Sequence, residues 1–161
     1  ILLLIIADDF TGALDTGVQF AARGARTEVV VDPQIDFSVC GADVLVVDTE
    51  TRHLPAADAY KAVFDLVERA RRAGVRFIYK KTDSALRGNI GAELSALLEA
   101  SGLRQLPFLP AYPKTGRITK NGVHYINGVP VTESPFGKDP FEPVRHSVIA
   151  ELIGEQARLR R

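Results

Sequence analysis

The chain has 161 residues, enough for one domain with its own hydrophobic core. Twenty Lys and Arg balance twenty Asp and Glu, so there is no electrostatic reason to expect nucleic acid or an anionic membrane as a partner. Cys40 is the single cysteine, which excludes an intrachain disulfide, and the apolar opening Ile1 to Ala7 is far shorter than the ~20 residues that span a bilayer.

That opening also lacks the basic flank and cleavage site of a signal peptide, so it is expected to be a buried first strand in a cytoplasmic protein. From Thr11 to Arg23 the spacing is helical, with Leu14, Val18 and Ala21 or Ala22 on one face and Gly24 as the stop. The β-branched run Thr27 to Val31 predicts a second strand, and Val44 to Val47 a third. Pro55 can open a helix, because its missing N–H is not needed in the first turn. Tyr60, Val63, Val67 and Ala70 then recur at helical spacing, and Gly74 closes the segment. Val75 to Tyr79 predicts a fourth strand. A helix follows from Ile90 to Ala100, with Leu94, Leu97 and Leu98 inward. Leu106 to Leu109 predicts a fifth strand, shortened by Pro107 and Pro110.

The stretch from Pro113 to Pro143 is rich in Pro, Gly and Asn. Within it, Asn127-Gly128 lies between two β-like runs, a strong hairpin signal, and places a β-hairpin excursion near residues 121–131. Val144 to Ala157 returns to a helical pattern. Strands alternating with helices predict an α/β fold with an open, doubly wound, mainly parallel sheet. The absence of an initiating Met and the charged end at Arg161 are read as trimmed edges.

Open parallel sheets bind ligands beyond the carboxyl ends of their strands. The first predicted strand is followed by Asp8-Asp9-Phe10-Thr11-Gly12 and the third by Asp48 to His53, which includes Arg52. The fourth is followed by Lys80 to Ser84 with Arg87 just beyond, and the fifth by Tyr112 to Arg117. If these exits meet on one rim, carboxylates can accept from sugar hydroxyls while Lys and Arg hold a carboxylate. The N–H groups at the start of the first helix add an anion seat.

Each cluster also has a plainer reading. One of Asp8 and Asp9 can serve simply as a cap of the first helix, and Asp83 or Ser84 can cap the helix that follows. Lys80 and Lys81 point to opposite faces of a strand, so one enters the rim; Lys81 is the expected one. Arg52 can be a surface ion pair. His53, His124 and His146 have no metal-ligand spacing and read as structural, so no metal ligand is assigned. No G-x-x-x-x-G-K-[ST] loop and no G-x-G-x-x-G after a strand is present, so the sequence carries a substrate rim without an ATP site.

Four motifs then fall into a familiar order. They are Ala7-Asp8-Asp9-Phe10-Thr11-Gly12-Ala13 with Asp15-Thr16-Gly17, and Lys80-Lys81-Thr82-Asp83-Ser84 with Leu86-Arg87-Gly88-Asn89. Next come Pro110 to Arg117, running on through Asn121 to Tyr125, and Phe136-Gly137-Lys138-Asp139-Pro140. In this order the chain resembles the four-carbon acid sugar kinases over nearly its whole length. The resemblance implies an N-terminal sugar-acid-binding domain, here incomplete over 1–161, followed by a nucleotide-binding domain outside this chain. It implies transfer of the γ-phosphate of ATP, with Mg²⁺, to the 4-hydroxyl of threonate, erythronate or 3-oxo-tetronate. Both cofactors would be bound mainly by the other domain.

The substrate contacts implied are Asp8 or Asp9, Arg52, and Lys81, Thr82, Asp83 and Ser84, with Arg87 alongside. Arg52 and Lys81 would anchor the carboxylate, and either Asp9 or Asp83 would take the proton of the attacking hydroxyl. Ala85 departs from the family pattern, where a small hydroxyl residue is common. The isolated fragment is expected to be inactive, and homo-oligomerisation is left open. Two other readings stand beside this one. A non-catalytic sugar-acid sensor would use the same residues. An aspartate-nucleophile phosphatase also places paired Asp and a Thr after its first strand, but here Phe10 occupies the place of the second carboxylate.

Overall fold

The computed structural model describes residues 1–158. Four strands, β1 (Leu3–Ala7), β2 (Thr27–Val30), β3 (Val44–Asp48) and β4 (Phe77–Lys81), form a parallel sheet in the order β2-β3-β1-β4. Helices α1 (Phe10–Ala21), α2 (Ala56–Arg72) and α3 (Ile90–Ser101) connect or follow these strands. Strand alternation sorts the core. Leu4 and Ile6 of β1 and Leu45 and Val47 of β3 pack with Val63, Leu66 and Val67 of α2 and Leu97 of α3. Ile5, Ala7, Val44 and Val46 face the other way, towards Ala13 of α1. The central strands are buried on both faces, which is why they read as continuous apolar runs.

Two expectations fail here. Leu14 and Val18 of α1 are exposed, whereas Gly12, Ala13 and Gly17 are buried. The helix lies so close to the sheet that a Cβ at Gly17 would sit 3.0 Å from Val29 Cγ2. The contact face is therefore made of the smallest residues, and the larger ones point outward. The predicted fifth strand at Leu106–Leu109 does not form. Pro107 and Pro110 remove two ladder donors, while Leu106 and Phe108 still pack against the core. β4 is consequently an edge strand, with Phe77 and Tyr79 exposed.

The excursion is larger than the single predicted hairpin. β5 (Arg117–Lys120), β6 (Val123–Ile126) and β7 (Val129–Pro130) make an antiparallel sheet. Its turns are Asn121-Gly122 (φ 51° and 77°) and Asn127-Gly128 (φ 49° and 87°). Both pairs supply the double positive φ that a two-residue hairpin loop requires. α4 (Ile149–Arg158) starts later than Val144 and packs on α3. The contact is close: a Cβ at Gly91 would lie 2.7 Å from Ile153 O. Among the described residues no helix is long and apolar enough to cross a membrane.

Candidate sugar-acid site

The ends of β1, β3 and β4 are neighbours, because Ala7 pairs with both Asp48 and Lys81. The polar residues that follow these strands therefore emerge side by side. Asp9 caps α1, its Oδ1 accepting from Gly12 N at 3.0 Å. It also does more than cap. Arg52 donates from Nη1 to Asp9 Oδ2 (2.7 Å) and from Nε to Asp8 Oδ2 (2.8 Å), so two consecutive carboxylates clasp one guanidinium. Asp8 and Arg52 are buried, whereas the Asp9 side chain keeps 22% of its surface exposed. Burial alone would lower the Arg52 pKa, but the hydrogen bond and charge of Asp8, with the charges of Asp83 and Asp9, raise it above the ordinary guanidinium value. Asp9 and Arg52 are thus bonded to each other, and Asp83 lies near enough for its charge to act on Arg52.

Lys80 and Lys81 separate as strand alternation requires. Lys80 turns inward and pairs with Glu93 Oε2 of α3 at 2.8 Å, both side chains almost wholly buried. The other Glu93 oxygen accepts from Thr51 Oγ1, which lies 2.9 Å from Thr49 Oγ1. Lys81 stays at the rim, with Nζ 3.8 Å from Asp9 Oδ1. Its path crosses the start of α1 at Gly12, where a Cβ would overlap both Lys81 Nζ and Asp9 Oδ1.

Asp83 does not cap α3. It accepts from Arg87 Nε at 2.6 Å and from Arg87 N at 3.2 Å. Burial pushes its carboxyl up, yet the bonds and charge of Arg87, helped by Arg52, hold it below the usual range. Asn89, just before α3, sends its amide across to Thr51 O (2.9 Å) and Leu54 O (2.8 Å), fastening the Arg52 loop. Gly88 lets this happen at φ 85°, since a Cβ there would meet Arg52 Cγ at 3.1 Å. Thr82 and Ser84 are half-buried beside them. The excursion joins through His124 of β6, fully buried, whose Nε2 lies 2.8 Å from Ser84 O, and through Arg117 of β5, which donates to Ser84 Oγ.

Several of these roles are not assigned by the sequence reading. Glu93 is one; its signal is a lone acid spaced to share the buried face of Ala96, Leu97 and Ala100. Asp48 is another. Its Oδ2 is buried with no hydrogen-bond partner among the described residues. Burial, with the charges of Glu50 and Asp9, pushes its pKa up to about 6. Among the described residues no group of three His, Cys, Asp or Glu side chains is placed to hold a metal ion.

Residues 3–161 match the family model described as the sugar-binding N-terminal domain. The chain belongs to this family. The sugar-binding domain is 43% identical over 158 residues to a D-threonate kinase of Salmonella typhimurium, covering 98% of this chain and 37% of that protein. It is 31% identical to a D-erythronate kinase of Heliobacterium modesticaldum, covering 97% of this chain and 36% of the relative. It is 34% identical to a 3-oxo-tetronate kinase of Burkholderia multivorans, covering 96% and 37%. The domain therefore spans little more than a third of the length of these curated relatives. Among solved structures, a domain of unknown function from Bordetella bronchiseptica, a domain-swapped dimer with bound citrate, superposes with a TM-score of 0.89 at 43% identity. That match covers 96% of this chain and 40% of the other.

Proposed function

We propose that this chain is the sugar-acid-binding part of an ATP-dependent kinase that phosphorylates the 4-hydroxyl of threonate, erythronate or 3-oxo-tetronate. The observation that carries the reading is the shared rim of Asp9, Arg52, Lys81 and Asp83, in a domain similar to three kinases of four-carbon acids. The citrate held by the Bordetella relative supports a pocket for small hydroxylated carboxylates. Its domain-swapped dimer supports self-association, and a reaction that consumes ATP suits the cytoplasm.

Phosphoryl transfer depends on alignment and charge neutralisation more than on covalent help from the protein. Arg52 has two nitrogens committed to Asp8 and Asp9, and its Nη2 with Lys81 Nζ would anchor the substrate carboxylate. Asp83 is nearly buried and tied to Arg87, and it orients hydroxyls. Asp9 is the more open carboxylate and takes the proton of the attacking hydroxyl. ATP supplies the phosphoryl group. The rim offers neither a phosphate loop nor a metal cluster among its described residues, so no residue here is assigned to the nucleotide or Mg²⁺. Those contacts would come from a nucleotide-binding part outside these residues.

The test is phosphorus NMR with ATP and a panel of D-threonate, D-erythronate and 3-oxo-tetronate. It would be run on the 161 residues alone and on a protein of the relatives' full length. Product from the long form only is expected. Turnover by the 161 residues alone would refute the division of labour, and no product from either form would refute the kinase reading.

A further inference from the structure

Beside the rim stands a second cationic group that the proposed contacts leave unused. Arg87, in the loop before α3, and Arg117, at the start of β5, both approach Phe136, each guanidinium carbon lying 5.2 Å from the ring centroid. Phe136 comes from the short helix Pro135–Lys138, so three separate segments build this corner. Two like charges on one ring repel unless each has a counter-charge. Arg87 has one in Asp83. The other rim cations are matched as well, Arg52 by Asp8 and Asp9 and Lys81 by Asp9. Arg117 has no carboxylate partner among the described residues; its hydrogen bond goes to the neutral Ser84 Oγ.

The position of Arg117 is built rather than incidental. Its side chain is half-buried, and Gly116, at φ 71°, turns the chain into β5 just before it. Behind it, His124 packs against Ser84 O and Thr119 Oγ1. Burial and, to a smaller degree, the positive charge of Arg117 push the pKa of that imidazole down. The excursion therefore fastens to Ser84 at two points and delivers an unmatched guanidinium beside Ser84 and the Phe136 ring. Resting on the sugar-acid reading above, we propose that Arg117 is the specificity-determining residue that selects an acid over an uncharged polyol, donating to the substrate carboxylate alongside Arg52 and Lys81. Arg52 and Lys81 are already balanced by carboxylates and bring hydrogen bonds, whereas Arg117 brings net charge.

Calorimetric titration of the full chain with D-threonate and with threitol, its uncharged counterpart, tests this. Arg117→Gln should weaken D-threonate binding by about 10- to 100-fold and leave threitol binding unchanged. Arg117→Lys should recover part of the loss, and Lys120→Gln, at the exposed far end of β5, should behave as wild type. Melting curves check that each variant is folded, and Arg117→Lys keeps the test alive if Arg117→Gln is not. Equal losses for acid and polyol, no loss, or a loss confined to ATP would overturn the assignment. If the wild-type chain binds no four-carbon acid, the sugar-acid reading fails and takes this one with it. If wild type binds and Arg117→Gln binds equally well, only the role of Arg117 falls.

Discussion

Lys80 and Lys81 are neighbours on one strand and serve opposite purposes. Lys80 lies in a closed ionic cluster with Glu93, backed by Thr51 and Thr49, and its side chain is 2% exposed. Lys81 lies in an open cluster with Asp9 and is 20% exposed. Residue type is identical; depth decides. In the closed cluster every charge is matched within the fold, so the group acts as a strut between β4 and α3. In the open cluster the match is looser and a ligand can take part.

The sharpest way to break this contrast is Lys80→Ala. It would leave Glu93 buried without its partner, and a loss of about 3–5 kcal/mol in unfolding free energy is expected from urea denaturation. Replacing the pair together, Lys80→Met with Glu93→Leu, should return most of that loss; if it does not, the pair does more than satisfy itself. Arg52→Ala comes next, at about 2–4 kcal/mol, because Asp8 is as deeply buried as Arg52.

Asp48→Asn should move stability the other way. The raised carboxyl binds a proton more tightly folded than unfolded, so wild-type stability falls as pH rises from about 4 to about 6 and stays lowered above. Asn removes this penalty, and a gain of about 1–3 kcal/mol at pH 7, vanishing near pH 4, is expected from melts across that range. Lys81→Ala has the smallest effect on folding, within about 0.5 kcal/mol, since its partner is 3.8 Å away and half-open. Its calorimetric affinity for D-threonate should nevertheless drop roughly 10-fold. A large stability loss with Lys81→Ala would erase the distinction between the two clusters.

The separation of the two lysines was legible in the sequence, because alternation along a strand is a local rule. So were the central strands, α2 and the Asn127-Gly128 hairpin, each set by adjacent residues. The inward face of α1 was not. Hydropathy favours Leu14 and Val18, while close packing on the sheet favours Ala13 and Gly17, and only the assembled sheet reveals which constraint wins. The strand expected at Leu106–Leu109 had suitable side chains but lacked backbone donors at its prolines. Glu93 was missed because its partner lies far off in sequence, and Arg117 was placed only at the exit of an expected fifth strand that does not form, with no partner assigned. Glu93 meets Thr51, 42 residues away, and Arg117 meets Ser84, 33 residues away. The clasp of Asp8 and Asp9 on Arg52 spans similar distances, yet each of its members stands at a strand exit, where the parallel-sheet rule directs attention.

The bare flank of β4 has a consequence for how these residues behave in solution. A strand paired on one side only among the described residues, with Phe77 and Tyr79 exposed, is a template for another backbone. Melting temperature should then climb with protein concentration, as mass action demands of any self-pairing species, and a Pro set into that flank would make it constant.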